Sequence, residues 1–433
     1  MINVGIIGFG TVGTGTVRIL LENKDVLKER LGFEINLRKI AVRDIVRDRG
    51  IKVPEGVLTT DVDAVLNDPH IDIVVEVIGG IRPAKDFILK AINNGKHVVT
   101  ANKALLATDG NEIFTAAQEA GIEIGFEASV AGGIPIIKVI REGLVANRIK
   151  AVYGIINGTS NYILTKMTDE NVEFSVALKE AQDLGYAEAD PTLDIEGIDS
   201  AHKLAILAYL SYGIPIPYKN IYTEGISKIS SQDIDFASEL GYKVKLLAIA
   251  KEKDNEVELR VHPTMIPKDY LISKVDGPFN AVYVEGDATG STLYYGRGAG
   301  AMPTGSAVVS DIVDIARDIK KNATGRIPVM VKTIRDVRIK KIDDVISMYY
   351  FRFSALDKPG VLSKISGILG NYNISIASVI QKGRRVGEAV PLVVLTHEAK
   401  EKDVRQAIEE IDHLPVVMNK TVFIRVEGKE EGY

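Results

Sequence analysis

Two lysines and a run of carboxylates carry the most chemistry in this sequence. The stretch Gly185 to Lys203 (GYAEADPTLDIEGIDSAHK) holds Glu188, Asp190, Asp194, Glu196 and Asp199 ahead of His202 and Lys203. Asp199 and Lys203 stand at i and i+4 in a segment patterned as a helix near 198–212. That spacing puts both side chains on one face, within reach of a common ligand. A lysine there can give a proton to a carbonyl oxygen or take one from a hydroxyl, and the carboxylates suit a substrate with an ammonium group. A solvated ion pair of the same spacing contributes only about 0.3–0.5 kcal/mol to a helix, so spacing alone also allows a purely structural pair. His202, one step along, leaves that face and reads as structural. The second lysine, Lys103, closes Thr100-Ala101-Asn102-Lys103 just after the strand-like run His97–Thr100. Ligands of doubly wound sheets gather at the carboxyl ends of strands, which suits Lys103; a surface lysine at a helix start is the alternative.

The element that must position these groups opens the chain. An apolar run, Val4 to Ile7, leads straight into Gly8-Phe9-Gly10-Thr11-Val12-Gly13, and an apolar-periodic helix follows through Val12, Val17, Leu20 and Leu21. Gly8 serves the tight turn, Gly10 lets backbone approach a pyrophosphate, and Gly13 lets the helix pack close to the strand. The strand before and the helix after make this a dinucleotide-binding turn. Further strands are expected at Ile35–Val42, Ile71–Val77, His97–Thr100 and Ile122–Phe126, with helices such as Ala84–Asn93 and Glu112–Ala120 between them. Such alternation predicts an α/β fold with a Rossmann-type doubly wound parallel sheet over residues 1–130, completed by about 300–325. The cofactor ribose would be read at Ala41-Val42-Arg43-Asp44. Arg43 could pair with a 2′-phosphate and favours NADP, while Asp44 keeps NAD open.

Composition removes other classes. The chain has 433 residues, 46% hydrophobic and 26% charged, a formal net charge of −5 and no cysteine. That length implies two or three domains. Nothing resembles a basic footprint for nucleic acid, and no apolar run is long enough for a membrane span, so a cytoplasmic protein is expected. Without cysteine there is no disulfide framework, no thiolate zinc site and no thiol nucleophile, which excludes thioester-forming aldehyde oxidation. The six histidines show no metal-ligand spacing.

Residues 131–300 change character and predict an α+β substrate-binding and dimerisation domain, with strands at 244–250 and 257–262. Gly296 to Gly300 forms a loop, with Pro303-Thr304-Gly305-Ser306 expected to cap the next helix. Residues 331–346 read as a linker or connecting strand. From 347 to 427 the pattern is strand Tyr349–Phe353, helix from Val361, strand Ile374–Ile380, a hairpin flanked by Gly383 and Gly387, strand Ala389–Thr396, helix Glu401–Ile411 and strand Thr421–Val426. This β-α-β-β-α-β order is ferredoxin-like.

Together these motifs resemble homoserine dehydrogenase over residues 1–320. The resemblance rests on the glycine turn, Thr100–Lys103, Phe126-Glu127-Ala128-Ser129-Val130-Ala131-Gly132-Gly133-Ile134-Pro135, Asn157-Gly158-Thr159, the Gly185–Lys203 stretch, and Gly298-Ala299-Gly300 with Pro303-Thr304. It implies an NADP- or NAD-dependent enzyme that interconverts L-homoserine and L-aspartate 4-semialdehyde in threonine, methionine and isoleucine biosynthesis. Lys203 becomes the proton donor and acceptor and Lys103 a second lysine near nicotinamide and substrate. Glu188 holds the substrate ammonium and Asp199 the hydroxyl end, with Asp194 and Thr159 in the substrate set. Gly185 and Gly300 match cofactor contacts. Glu127, with the backbone carbonyls of Val130, Gly132 and Ile134, matches a monovalent cation site of the kind that usually takes sodium.

The tail resembles an ACT domain, a small-ligand regulatory module, through Asp357-Lys358-Pro359-Gly360-Val361-Leu362 and Asn371–Ser375. The resemblance implies an amino-acid effector, L-threonine, near Asp357, Gly360 and Asn373; a dimerisation module without ligand is the alternative. A homodimer or homotetramer is expected from the sheet edges. The rival readings are another dehydrogenase of small amino or hydroxy acids and a non-catalytic sensor. A fused kinase is not expected, because nothing precedes the glycine turn.

Overall fold

The computed structural model describes residues 1–330, 337–382 and 388–428. The chain divides into two compact units. The first comprises Met1–Gly158, Ile198–Ile221 and Pro278–Asp336, and the second Thr159–Gly197, Tyr222–Gly277 and Val337–Tyr433.

In the first unit, β1 (Ile2–Ile7), α1 (Thr11–Glu22), β2 (Ile35–Ala41), β3 (Leu58–Thr59), β4 (Ile73–Glu76), α2 (Ala84–Asn93), β5 (His97–Thr100), α3 (Lys103–Ala120) and β6 (Ile124–Gly125) follow in chain order. The sheet order is β3-β2-β1-β4-β5-β6 and its pairs are parallel. β4 is buried at every position, as a strand covered on both faces must be. Val4, Ile6, Val75 and Val99 from the strands pack with Val308 and Ile312 of the late helix α5 (Ala301–Lys321) in one core. α1 and α5 meet backbone to backbone: a Cβ on Gly15 would overlap the Ala301 carbonyl, and one on Gly305 would lie 2.6 Å from Gly15. The unit also contains β7 (Ile149–Ile155), helix α4 (Ile198–Tyr212), β8 (Phe279–Gly286) and β9 (Gly290–Arg297), with β8 paired antiparallel to both β7 and β9.

The second unit is built on the antiparallel hairpin Tyr242–Lys253 and Glu256–Pro267. Its C-terminal part forms the β-α-β-β-α-β module. Strand Val417–Val426 pairs with Ile346–Leu356, which pairs with Ala389–Thr396, which pairs with Ile376–Gln381. Helices Val361–Asn371 and Glu401–Asp412 supply Ile365, Leu369, Val404 and Ile411 to a core with Tyr349, Phe351 and Phe353. The last strand also pairs in parallel with Glu256–Pro267, at Thr264–Arg425 and Met265–Val426.

This unit buries a dense ionic network. Glu401 accepts from Arg425 Nε at 2.9 Å and Nη2 at 2.5 Å, from the Tyr349 hydroxyl at 2.7 Å and from Arg405 Nε at 3.0 Å. Arg260 pairs with Glu427, and Asp233 caps its own helix at Ser230 while pairing with Arg352 at 2.6 Å.

Some boundaries differ from the sequence reading. The helix expected from Glu112 begins at Lys103, because the Asn102 side chain accepts from Leu105 N–H at 3.2 Å and caps it. Pro303–Ser306 does not cap a helix. Gly300 is the N-cap and Pro303 lies within the first turn, where its missing N–H is no loss. The expected strands Ile71–Val77 and Ile122–Phe126 shorten to β4 and β6. Gly383 and Gly387 lie outside the described residues, as do 331–336. The rest of the expected linker holds a short strand, Arg338–Ile339, paired with Glu256–Val257.

Candidate active site

β1 hands the chain to the glycine turn at a point where a side chain has no room. Gly8 has φ +110°, and a Cβ there would lie 2.7 Å from the Val77 carbonyl. A Cβ on Gly13 would overlap the Gly8 carbonyl, whereas Gly10 faces open space. Gly10 is also the N-cap of α1 and offers no side chain, so the first-turn N–H groups are left for an anion. Gly8, Phe9 and Gly10 line a cavity of about 490 Å³ together with Arg43, Asp44, Arg47 and Arg49.

Asp44 is engaged in its own loop, its Oδ1 accepting from Val46 N–H at 2.9 Å and Arg47 N–H at 3.1 Å. Arg49 donates to the Phe9 carbonyl at 2.8 Å and stacks 5.0 Å from the Phe9 ring, tying this loop to the glycine turn. Arg47 and Arg49 were not singled out in the sequence, because their place on the cavity wall depends on how residues 43–50 fold back.

The two lysines meet on one carboxylate. α4 carries Asp199 and Lys203, both buried, with Lys203 Nζ 2.6 Å from Asp199 Oδ2. Lys203 Nζ also donates to the Ile156 carbonyl at 2.6 Å, at the end of β7. Lys103 Nζ lies 3.1 Å from Asp199 Oδ1, and its side chain is 41% exposed. The Asn157 side chain donates to Asp199 Oδ2 at 2.9 Å. In the sequence Asn157 is only part of a motif; its contact with Asp199 spans 42 positions and leaves no local sequence signal.

Burial penalises the Asp199 carboxylate, but the charges of Lys203 and Lys103 and the hydrogen bonds from Lys203 and Asn157 outweigh this. Its pKa lies below the ordinary carboxylate range. His202 does turn elsewhere: its ring packs edge-on to Tyr218 at 4.3 Å, and burial lowers its pKa.

Lys103 owes its place to a chain of hydrogen bonds. The Thr100 hydroxyl donates to buried Glu76 at 2.8 Å, Asn102 N–H donates to Thr100 Oγ1 at 3.1 Å, and the Asn102 side chain donates to the Gly80 carbonyl at 2.7 Å. The sheet's carboxyl end is thereby locked just before α3 starts.

Glu188, Asp194, Thr159 and Gly185 belong to the second unit. Glu188 is exposed, Asp194 is half-buried with its carbonyl accepting from Ser160 Oγ at 2.8 Å, and Thr159 Oγ1 donates to the Tyr186 carbonyl at 2.5 Å. Gly185 has φ +75° in the turn after helix Phe174–Asp183.

The loop from Glu127 to Ile134 is buried at Glu127, Val130, Gly132 and Ile134. Glu127 accepts from Ile137 N–H at 2.8 Å and Lys138 N–H at 2.9 Å, and its own N–H donates to Asp311 at 2.8 Å. Burial pushes Glu127 and Asp311 up to about 7. Ala131 and Gly132 both have positive φ, which turns successive peptide planes over. Two desolvated carboxylates, Glu127 and Asp311, beside a loop of backbone carbonyls offer only oxygen donors, the kind a hard cation takes. Among the described residues no group of three or more His, Asp or Glu could hold a metal by side chains.

In the tail, Gly360 has φ +86° and is the N-cap of helix Val361–Asn371 with no side-chain cap. Asp357 N–H donates to the Glu388 carbonyl at 3.0 Å, and Asn373 has φ +57°.

A parallel sheet with a glycine-cradled helix N-terminus, together with a buried lysine–carboxylate cluster at a strand end, defines a dinucleotide-dependent oxidoreductase. Comparison with known proteins makes this specific. Residues 8–127 match the NAD-binding domain of homoserine dehydrogenase, 135–313 match homoserine dehydrogenase, and 349–414 match the ACT domain. A homoserine dehydrogenase of Neisseria gonorrhoeae is 47% identical over 431 residues, covering 99% of each chain. The crystal structure of a homoserine dehydrogenase from Thiobacillus denitrificans superposes with a TM-score of 0.93 at 51% identity, over 98% of both chains. A hyperthermophilic archaeal homoserine dehydrogenase solved in complex with NADPH gives a TM-score of 0.63 at 29% identity, over 74% of this chain and 98% of that one. The chain belongs to the homoserine dehydrogenase family of NAD(P)-dependent oxidoreductases and carries a C-terminal ACT domain.

Proposed function

We propose that Lys203 is the proton carrier of the homoserine dehydrogenase reaction and that Lys103 and Asp199 complete its immediate surroundings. The observation that carries this reading is the Lys103–Asp199–Lys203 cluster, buried on one side and open through Lys103. When bound, the nicotinamide supplies or takes up the hydride at the carbon bearing the reacting oxygen. In the reducing direction the Lys203 ammonium donates its proton to the developing alkoxide; in the oxidising direction the neutral amine accepts the hydroxyl proton. Asp199, fixed by Asn157, holds the two lysine heads at set positions and orients the hydroxyl end. Glu188 and Asp194 serve the substrate's amino end, so Glu188→Gln should raise KM for homoserine more than it lowers kcat.

Gly8 to Gly13 and Gly300 hold the cofactor, and NADP is the preferred form. The engagement of Asp44 within its own loop, with Arg43 and Arg47 on the same cavity wall, supports a 2′-phosphate over a free 2′-hydroxyl. The archaeal relative solved with NADPH agrees with this. Glu127 and the carbonyls of Val130, Gly132 and Ile134 would hold sodium. Added sodium chloride, against an equal concentration of a bulky organic cation chloride, should raise the Tm of the native chain and not of Glu127→Gln.

The ACT domain takes an amino-acid effector, L-threonine, by its carboxylate at the uncapped helix start near Gly360, with Asp357 and Asn373 alongside. A homodimer or a homotetramer forms; the ladder face bearing Tyr153, Tyr283, Leu293 and Tyr295 is half-exposed and aromatic, as an interface would be. The reading includes a cytoplasmic location. No helix among the described residues is long and apolar enough to cross a membrane.

The test is nicotinamide absorbance with L-homoserine and NADP or NAD, with and without L-threonine. Turnover with an NADP preference and threonine inhibition is expected. No turnover with either cofactor would overturn the assignment of the cluster.

A further inference from the structure

Asn280 on β8 is 1% exposed, and both its amide nitrogen and its amide oxygen are buried without a hydrogen-bond partner. An unpaired buried amide is costly, and an apolar side chain of the same shape would avoid the cost. The surrounding backbone is nevertheless shaped to admit this amide. A Cβ on Gly298 would overlap it, at 1.9 Å from its nitrogen.

The position joins two parts of the site. Asn280 pairs with Gly296 of β9 and lies one residue beyond the Ala281–Ile155 pair of the antiparallel β7–β8 ladder, in line with Ile156. The Ile156 carbonyl is the one that accepts from Lys203. Gly298, against which the amide lies, runs through Ala299 to Gly300, the side-chain-free N-cap of the 21-residue helix α5. α5 in turn touches α1, the helix of the glycine turn, at Gly15–Ala301. The loop 298–300 therefore connects the helix pair at the phosphate end to the strand end where Lys203 is anchored.

We propose that Asn280 is a positioning residue for the nicotinamide end of the cofactor. Its amide pairs with the backbone of the Gly298–Gly300 loop when the loop closes on the bound dinucleotide, and so holds that loop in place beside Lys203. This rests on the assignment of the glycine turn and Gly300 to the cofactor.

The experiment uses Asn280→Leu, which keeps the shape and removes the hydrogen bonds, and Asn280→Ala, which cannot overpack. Tm of the cofactor-free protein is measured, with Kd for NADP and for 2′-phospho-ADP-ribose, which lacks only the nicotinamide. The expected result is a Tm for Asn280→Leu at or above that of the native chain. NADP binding should weaken about ten-fold in both variants, the worth of one well-made hydrogen bond, while 2′-phospho-ADP-ribose binds as before. Equal weakening of both ligands, or no change in either, overturns the proposal. So does a Tm lowered in both variants with an unchanged ratio of the two affinities. If Asn280→Leu does not fold, the affinity ratio of Asn280→Ala decides. Failure of the native chain to bind either ligand would instead overturn the cofactor assignment itself, and this proposal with it.

Discussion

Asp199 in the first unit and Glu401 in the second are both buried carboxylates held by two cations, and they serve opposite ends. Glu401 is enclosed by Arg425, itself 1% exposed, with Tyr349 and Arg405 completing its bonds. Arginine stays charged under all conditions a protein meets, so that cluster can hold but cannot exchange a proton. Asp199 is held by lysines, whose protons are exchangeable, and Lys103 keeps a path to solvent. Burial and pairing do not separate the two clusters; the kind of cation and the presence of an opening do, and the proton role proposed for Lys203 rests on these.

That contrast is sharpest in the response to losing one member. Lys203→Ala should lower kcat/KM for homoserine by about 10²–10⁴-fold, the usual worth of general acid–base catalysis, with NADP binding retained. Turnover within ten-fold of the native chain would put the proton elsewhere. Glu401→Gln should do the reverse. Urea unfolding should find it less stable by about 3 kcal/mol, because Arg425 loses its fully buried counter-charge and keeps only the part-exposed Glu224, while the folded fraction turns over normally. A stable Glu401→Gln protein would break the comparison.

The arginines of the cofactor loop extend the same logic, since they too can only hold. Replacing Arg43 and Arg47 together by alanine should shift the NADP-to-NAD ratio of kcat/KM about ten-fold toward NAD, with kcat for NAD little changed. An unaltered ratio would remove both from 2′-phosphate recognition.

The smallest expected effect lies in acid. Burial opposes ionisation of both carboxylates, yet the lysines beside Asp199 and Arg425 beside Glu401 keep each pKa below its ordinary value of 3.8 or 4.5. A depressed carboxylate contributes stability that is present above its unfolded pKa and lost as pH falls through the folded one. Tm measured downward from about pH 5 should therefore fall less steeply in Asp199→Asn and in Glu401→Gln than in the native chain. Parallel curves would contradict the sign of both shifts.

The parts legible in the sequence were those written locally. The glycine turn, the i, i+4 pair Asp199–Lys203, Lys103 at a strand end and the strand–helix alternation each occupy a short window, and the folded chain follows their periodicity. What could not be read was written across distance. Asn157 reaches Asp199 over 42 positions, Arg49 reaches Phe9 over 40, and Arg425 reaches Glu224 over 201. No helical or strand period links such pairs. Asn280 was silent for another reason: a single amide in an apolar strand means nothing until its lack of a partner is seen. The helix start at Lys103 is an intermediate case: Asn102 is a favoured capping residue, but the helix it opens runs through Gly110 and Asn111, which are poor helix formers.

The parallel seam between Glu256–Pro267 and the chain's last strand has a consequence for how such a protein can be taken apart. A tail joined by a loop can be clipped away and leave its host intact. Here, clipping would strip a neighbour from the hairpin and bare its edge at Thr264 and Met265, the kind of edge on which chains associate. Shortened forms would then be lost to insolubility before any change in regulation could be seen.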